Sequence, residues 1–108
     1  MSVKQTNQPV ELGGSDYETV AVSQADQVLG GTGAKGDFLA ALIIETITAA
    51  TASVTLTDGT TAIVIQTAAA GLAVGPRRVE FGMRAKTGPW KITTGAGATV
   101  IAIGQFSA

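Results

Sequence analysis

Neither cysteine nor histidine occurs in this chain of 108 residues. Their absence excludes disulfides, thiolate chemistry and a Cys/His zinc site, together with histidine acid–base catalysis and histidine pH sensing. Charge is scarce too: 7 basic and 8 acidic residues make up 14% of the chain, against about 25% in an average soluble domain. Only Tyr17, Phe38, Phe81, Trp90 and Phe106 are aromatic. The longest strictly apolar run, Phe38-Leu39-Ala40-Ala41-Leu42-Ile43-Ile44, falls far short of the ~20 residues a membrane helix needs. The polar opening Met1-Ser2-Val3-Lys4-Gln5-Thr6-Asn7-Gln8-Pro9 lacks the apolar stretch of a signal peptide. A soluble product of cytoplasmic synthesis, with no membrane partner and no cofactor, is the expectation.

What is present is small and apolar. The chain holds 18 Ala, 15 Thr and 14 Gly, and its 27 Leu, Ile, Val and Phe residues argue against wholesale disorder. A monomer needs a charged skin to stay soluble. With so few charges, much of the surface is expected to lie against other subunits or a partner, so the chain reads as a homo-oligomer.

Turn and strand signals recur every 8–12 residues or so, the pattern of a β-sandwich or barrel. Residues 1–16 read as an extended N-terminal arm ending in Gly13-Gly14-Ser15-Asp16, and residues 17–108 as one domain. Tyr17–Val22 has high β propensity, and Val28-Leu29 reads as a short edge segment. Phe38–Ile47 is rich in β-branched residues and reads as a strand buried on both faces. Ala52, Val54 and Leu56 alternate with Ser53, Thr55 and Thr57. Asp58-Gly59 is a hairpin signal, with Thr61–Gln66 returning and Ile63 and Ile65 inward. From Arg77 to Lys91 a further hairpin is expected, with Val79, Phe81, Met83, Trp90 and Ile92 inward and Arg78, Glu80, Arg84 and Lys91 outward. Thr99–Phe106 is the last strand. The fold class is all-β: a single-domain antiparallel sandwich, jelly-roll-like, of seven to eight short strands.

The sharpest formal motif is Gly31-Thr32-Gly33-Ala34-Lys35-Gly36, which satisfies the dinucleotide-binding spacing G-x-G-x-x-G. Gln24-Ala25-Asp26-Gln27 is a poor central strand before it, and no βα alternation follows, so a loop is expected instead. Lys35 does not follow a glycine and no Ser or Thr succeeds it, which excludes a P-loop. The carboxylates Asp16, Glu18, Asp26, Asp37, Glu45, Asp58 and Glu80 could supply a glycosidase pair, but most sit at turn positions where Asp is expected for local reasons. Asp58 is assigned to its hairpin, so Asp58→Asn is expected to matter little. No calcium-loop pattern occurs, and neither catalytic residues nor a metal site are expected.

Charge is unevenly placed. Residues 1–58 set Lys4 and Lys35 against seven carboxylates, a net −5. Residues 59–108 set Arg77, Arg78, Arg84, Lys86 and Lys91 against Glu80, a net +4. That basic segment, beside Phe81 and Trp90, could contact nucleic acid. A pI near 5.1 favours the other possibility, head-to-tail complementarity in which one subunit's basic hairpin meets a neighbour's acidic loops. Trp90, in an alternating strand, is expected in the core.

Three whole segments carry a likeness: Val3 to Ala21, Gln27 to Ala34, and Gly88 to Ala96. In them the chain resembles small virion proteins of tailed bacteriophages and phage-derived particles, encoded among head-structure genes. The resemblance implies a non-enzymatic decoration or cement protein, or the base of a head spike or fibre. It implies a β-sandwich homo-oligomer, trimeric or pentameric, seated on the major capsid protein at the outer surface of the virion. The candidate partner-binding residues are Val3, Gln5, Gln8 and Val10 in the arm, and Arg77, Arg78, Arg84, Lys86 and Lys91 in the basic segment. The alternative role is a head-spike or tail-fibre component that binds a host receptor or glycan; the five aromatics are few for that task.

Overall fold

Strand pairing in this protein is nested. The computed structural model describes residues 16–108, and the arm residues Val3, Gln5, Gln8 and Val10 lie outside them. Among the described residues the strands are β1 (Asp16–Val20), β2 (Gln27–Val28), β3 (Phe38–Thr46), β4 (Val54–Asp58), β5 (Thr61–Gln66), β6 (Gly75–Arg84), β7 (Trp90–Thr94) and β8 (Ala98–Gln105). The first pairs with the last, the second with the seventh, the third with the sixth and the fourth with the fifth, all antiparallel. Further pairing of β3 with β8 and of β4 with β7 completes two four-stranded sheets, ordered β1-β8-β3-β6 and β2-β7-β4-β5. A long hairpin folded over on itself in this way is a jelly roll.

Period-two alternation decides which side chains meet between the sheets. Val54 and Leu56, Trp90 and Ile92, and Val100 and Ala102 point inward and are buried. Leu42 and Ile44 of β3 close the layer, and Ala52, Ala98 and Ala102 occupy it with minimal bulk. Each fully buried aliphatic side chain contributes about 1.5–3 kcal/mol relative to exposure. Trp90 is in the core as expected, and its indole N–H donates to the Asp37 carbonyl at 2.9 Å.

Several local expectations differ from the structure. The first strand begins at Asp16, one residue before the expected boundary, and ends at Val20. Strand β3 is central, yet only its inner face is fully covered: Ile43 is half-buried and Glu45 is exposed on the other. A bulge between Leu39 and Ala41 shifts the alternation and lets both Ala41 and Leu42 be buried. A second bulge between Val54 and Thr55 of β4 and their β5 partners leaves Ile65 partly buried, while Ile63, facing inward at the open edge, is still 36% exposed. Residues 77–91 are not a hairpin. β6 pairs with β3 and β7 with β4 and β2, so Lys86–Pro89 carries the chain from one sheet to the other.

Candidate functional site

The sandwich has two long sides, and the chain closes one of them. On the β1/β2 side, the Glu18 carboxylate accepts hydrogen bonds from Gln27 Nε2 and from the Gly30 amide, both at 2.7 Å, and so ties one sheet to the other. Thr94 Oγ1 donates to the Ala21 carbonyl at 2.6 Å and accepts from the Gln24 amide. The glycine-rich loop then wraps the C-terminal residues. The amides of Thr32 and Gly33 donate to the Ser107 carbonyl, and Thr32 Oγ1 donates to the Ala108 carbonyl. A β-carbon at Gly30 would collide with the Ser107 carbonyl, and one at Gly33 would collide with Pro89 and Val28. Gly31 likewise lies against the Ala108 backbone, so the motif's glycines Gly31 and Gly33 admit the chain's own main chain and side chains where their spacing would suggest a pyrophosphate.

Two buried aspartates fix the end of the sandwich around Trp90. Asp37 Oδ2 accepts from the Ala34 and Ser107 amides, both at 2.9 Å, and Oδ1 accepts from Ser107 Oγ at 2.7 Å. Asp58 stands opposite Trp90 in the sheet register. Its carboxylate accepts from the Lys86 amide at 3.0 Å and the Thr87 amide at 3.1 Å, and Thr87 Oγ1 donates to the Asp58 carbonyl. Burial alone would raise both carboxyls, but these hydrogen bonds outweigh it and hold each below the ordinary value of 3.8. A carboxylate kept ionised and surrounded by main-chain donors is poorly placed to deliver a proton near neutral pH. The Asp58 assignment is thereby corrected: its carboxylate anchors the crossover between sheets, while the two-residue turn itself is Gly59-Thr60. No local signal could have revealed this, because 28 residues separate Asp58 from Lys86.

The β5/β6 side is open. Gln66 of β5 bridges it: Oε1 accepts from Arg77 at 2.9 Å, and Nε2 donates to Thr46 Oγ1 of the other sheet and to the Ala52 carbonyl. To one side lies a hollow of about 360 Å³ at Leu72, Val74 and Arg77. To the other lies one of about 300 Å³ at Ile63, Met83, Arg84 and Trp90. Val64, Val74 and Met83 are 66%, 70% and 41% exposed. Met83, expected inward, faces Leu39 in register but sits at this uncovered edge.

The basic residues are dispersed by the two-sheet topology. Arg77 shares its face with buried Ile44 and turns to Gln66; Arg78 pairs with Glu80. Arg84 donates to the Gly36 carbonyl and lies 5.6 Å from the Phe38 ring centroid. Lys86 follows in the crossover, and Lys91 stands on β7 of the other sheet. The expected basic hairpin is therefore not formed: four of the five cations follow β6 and its exit, and Lys91 stands on the other sheet.

The outer face of the β1-β8-β3-β6 sheet is the remaining surface feature. Tyr17, Ile103 and Ala41 align across it, as do Thr19, Ile101 and Ile43, around a shallow hollow of about 450 Å³. Tyr17 is 71% exposed. No cluster of three or more potential metal ligands occurs among the described residues, and no helix there is long and apolar enough to cross a membrane. Comparison with protein families, curated proteins and solved structures finds no match.

Proposed function

We propose that this protein is a non-enzymatic structural component of a phage-type particle. In this reading it binds the major capsid protein as a homo-oligomer and decorates or stabilises the outer surface of the head. The observation that carries the proposal is how the polar chemistry and the exposed apolar surface are distributed. The two best-buried carboxylates are engaged by the protein's own amides, while large apolar side chains stand exposed on a rigid sandwich. Such a surface works by binding energy. Contacts made with a mature shell but not its precursor stabilise the mature state by mass action.

The test is reconstitution on heads that lack the protein. Saturable co-sedimentation in a fixed ratio to capsid subunits, with greater resistance of the heads to heat, is the expected result. Absence of binding from heads of every maturation state overturns it. Removing residues 1–12 should weaken attachment more than folding, since that segment offers few core-forming side chains. The receptor- or glycan-binding alternative has one feature in its favour, exposed Tyr17 beside Ile101 and Ile103. Glycan-array binding lost on Tyr17→Ala would select it.

A further inference from the structure

We propose that copies of this chain associate head to tail, the β1/β2 side of one copy docking on the open β5/β6 side of the next. This deepens the functional reading above and rests on its homo-oligomer. Three observations identify a second copy as the occupant.

The first is charge. Residues 16–28, which form β1, β2 and their connection, carry Asp16, Glu18 and Asp26 and no cation. The opposite side carries Arg77, Arg78 and Arg84 on β6, with Lys86 following and Glu80 the one acid on that strand. Two β6 edges facing each other would repel, whereas a β6 edge facing a β1 edge attracts. Charge therefore selects a head-to-tail contact over a two-fold one.

The second is the distribution of uncovered apolar groups. Of the seven large apolar residues exposed among those described, Ile63, Val64, Val74 and Met83 lie on β5, β6 or their connection, and Val22 lies just after β1. Tyr17 stands on the outer face of the sheet and Ile47 elsewhere. Strand β5, Thr61-Ala62-Ile63-Val64-Ile65-Gln66, is an edge with no charge and no proline, the devices that ordinarily discourage pairing. Its counterpart on the facing side, β2, is two residues long and leaves room beside it.

The third is strand direction. Every pairing within β1-β8-β3-β6 is antiparallel, so β1 and β6 run in opposite directions. A neighbouring copy rotated about an axis along the strands presents β1 antiparallel to β6 without being inverted. A heterologous contact of this kind yields a ring when its rotation closes.

A charge swap tests the contact. Asp16→Arg and Arg84→Glu should each weaken self-association, read by sedimentation velocity over a concentration series, by at least about tenfold. Asp16 and Arg84 line one hollow within a copy, so the swap is read in an equimolar mixture of the two single variants, which restores opposite charges only between copies. The mixture should recover most of the loss, and raising salt should weaken the wild type. Neutral Asp16→Asn and Arg84→Gln chains, with melting curves for all, separate lost charge from lost fold. Wild-type-like association of both single variants overturns the proposal, as does a swap no better than the singles, or a wild type monomeric throughout. Head binding is read in parallel. Charge-dependent assembly without attachment to heads sinks the capsid role alone, and attachment as isolated copies sinks the subunit contact alone.

Discussion

The two long sides of the sandwich are built from similar strands and finished differently. On the β1/β2 side, Glu18, Thr94 and the loop around Ser107 satisfy the polar groups that the strands leave over. On the β5/β6 side, Gln66 alone makes the side-chain bridges described, to Arg77 and Thr46, and Ile63, Val64 and Met83 are left partly or mostly exposed. Both sides belong to the same two sheets, so the difference lies in which side the chain itself covers. A side closed by its own chain contributes to folding; a side left apolar and strand-edged is available for association.

The largest effect should come from the closed side. Replacing Asp37 with Ala leaves the Ala34 and Ser107 donors unpaired, and we expect a loss of about 3 kcal/mol in urea denaturation. Gly30→Ala should cost about 2 kcal/mol, because Gly30 has φ of +89° and a β-carbon there meets the Ser107 carbonyl. An unchanged melting temperature for either variant would dissolve the contrast between the two sides.

Acid should act through the two aspartates. Both have folded values below their ordinary one, so the stability they contribute is present above that ordinary value and is lost as pH falls through the folded value. The wild type should lose stability steeply below about pH 4. Asp58→Asn should lower stability near neutral pH by about 1–2 kcal/mol and flatten the acid limb, both measured by melting across a pH series. Identical acid limbs would show that the anchored crossover contributes nothing. The smallest effect belongs to the open side: Val64→Thr should shift folding stability by less than about 0.5 kcal/mol, since Val64 is mostly exposed.

The class of fold was legible because it is written in local alternation. Val54-Thr55-Leu56 and Trp90-Lys91-Ile92 announce one buried face, and the turn after Asp58 joins β4 to β5 as expected. Which strands share a sheet was not legible. Lys86–Pro89 has the composition of a hairpin turn and yet joins β6 to β7 in different sheets. Local turn chemistry does not encode that choice. The same long-range pairing hid the work of Asp37, Asp58 and Glu18. Each carries acceptor oxygens that suit any turn, and their donors lie 3 to 70 residues away. The basic cluster was visible as a run along the chain, and the passage between sheets then split it.

Hydrogen exchange of the wild-type protein at dilute and at associating concentrations tests most directly whether one side is completed by another copy. Association should slow exchange in β1, β5 and β6 and leave β4, β7 and β8 as they are. Protection that appears only on the outward face of the sandwich, or no change in β5 and β6 as oligomers form, would contradict it.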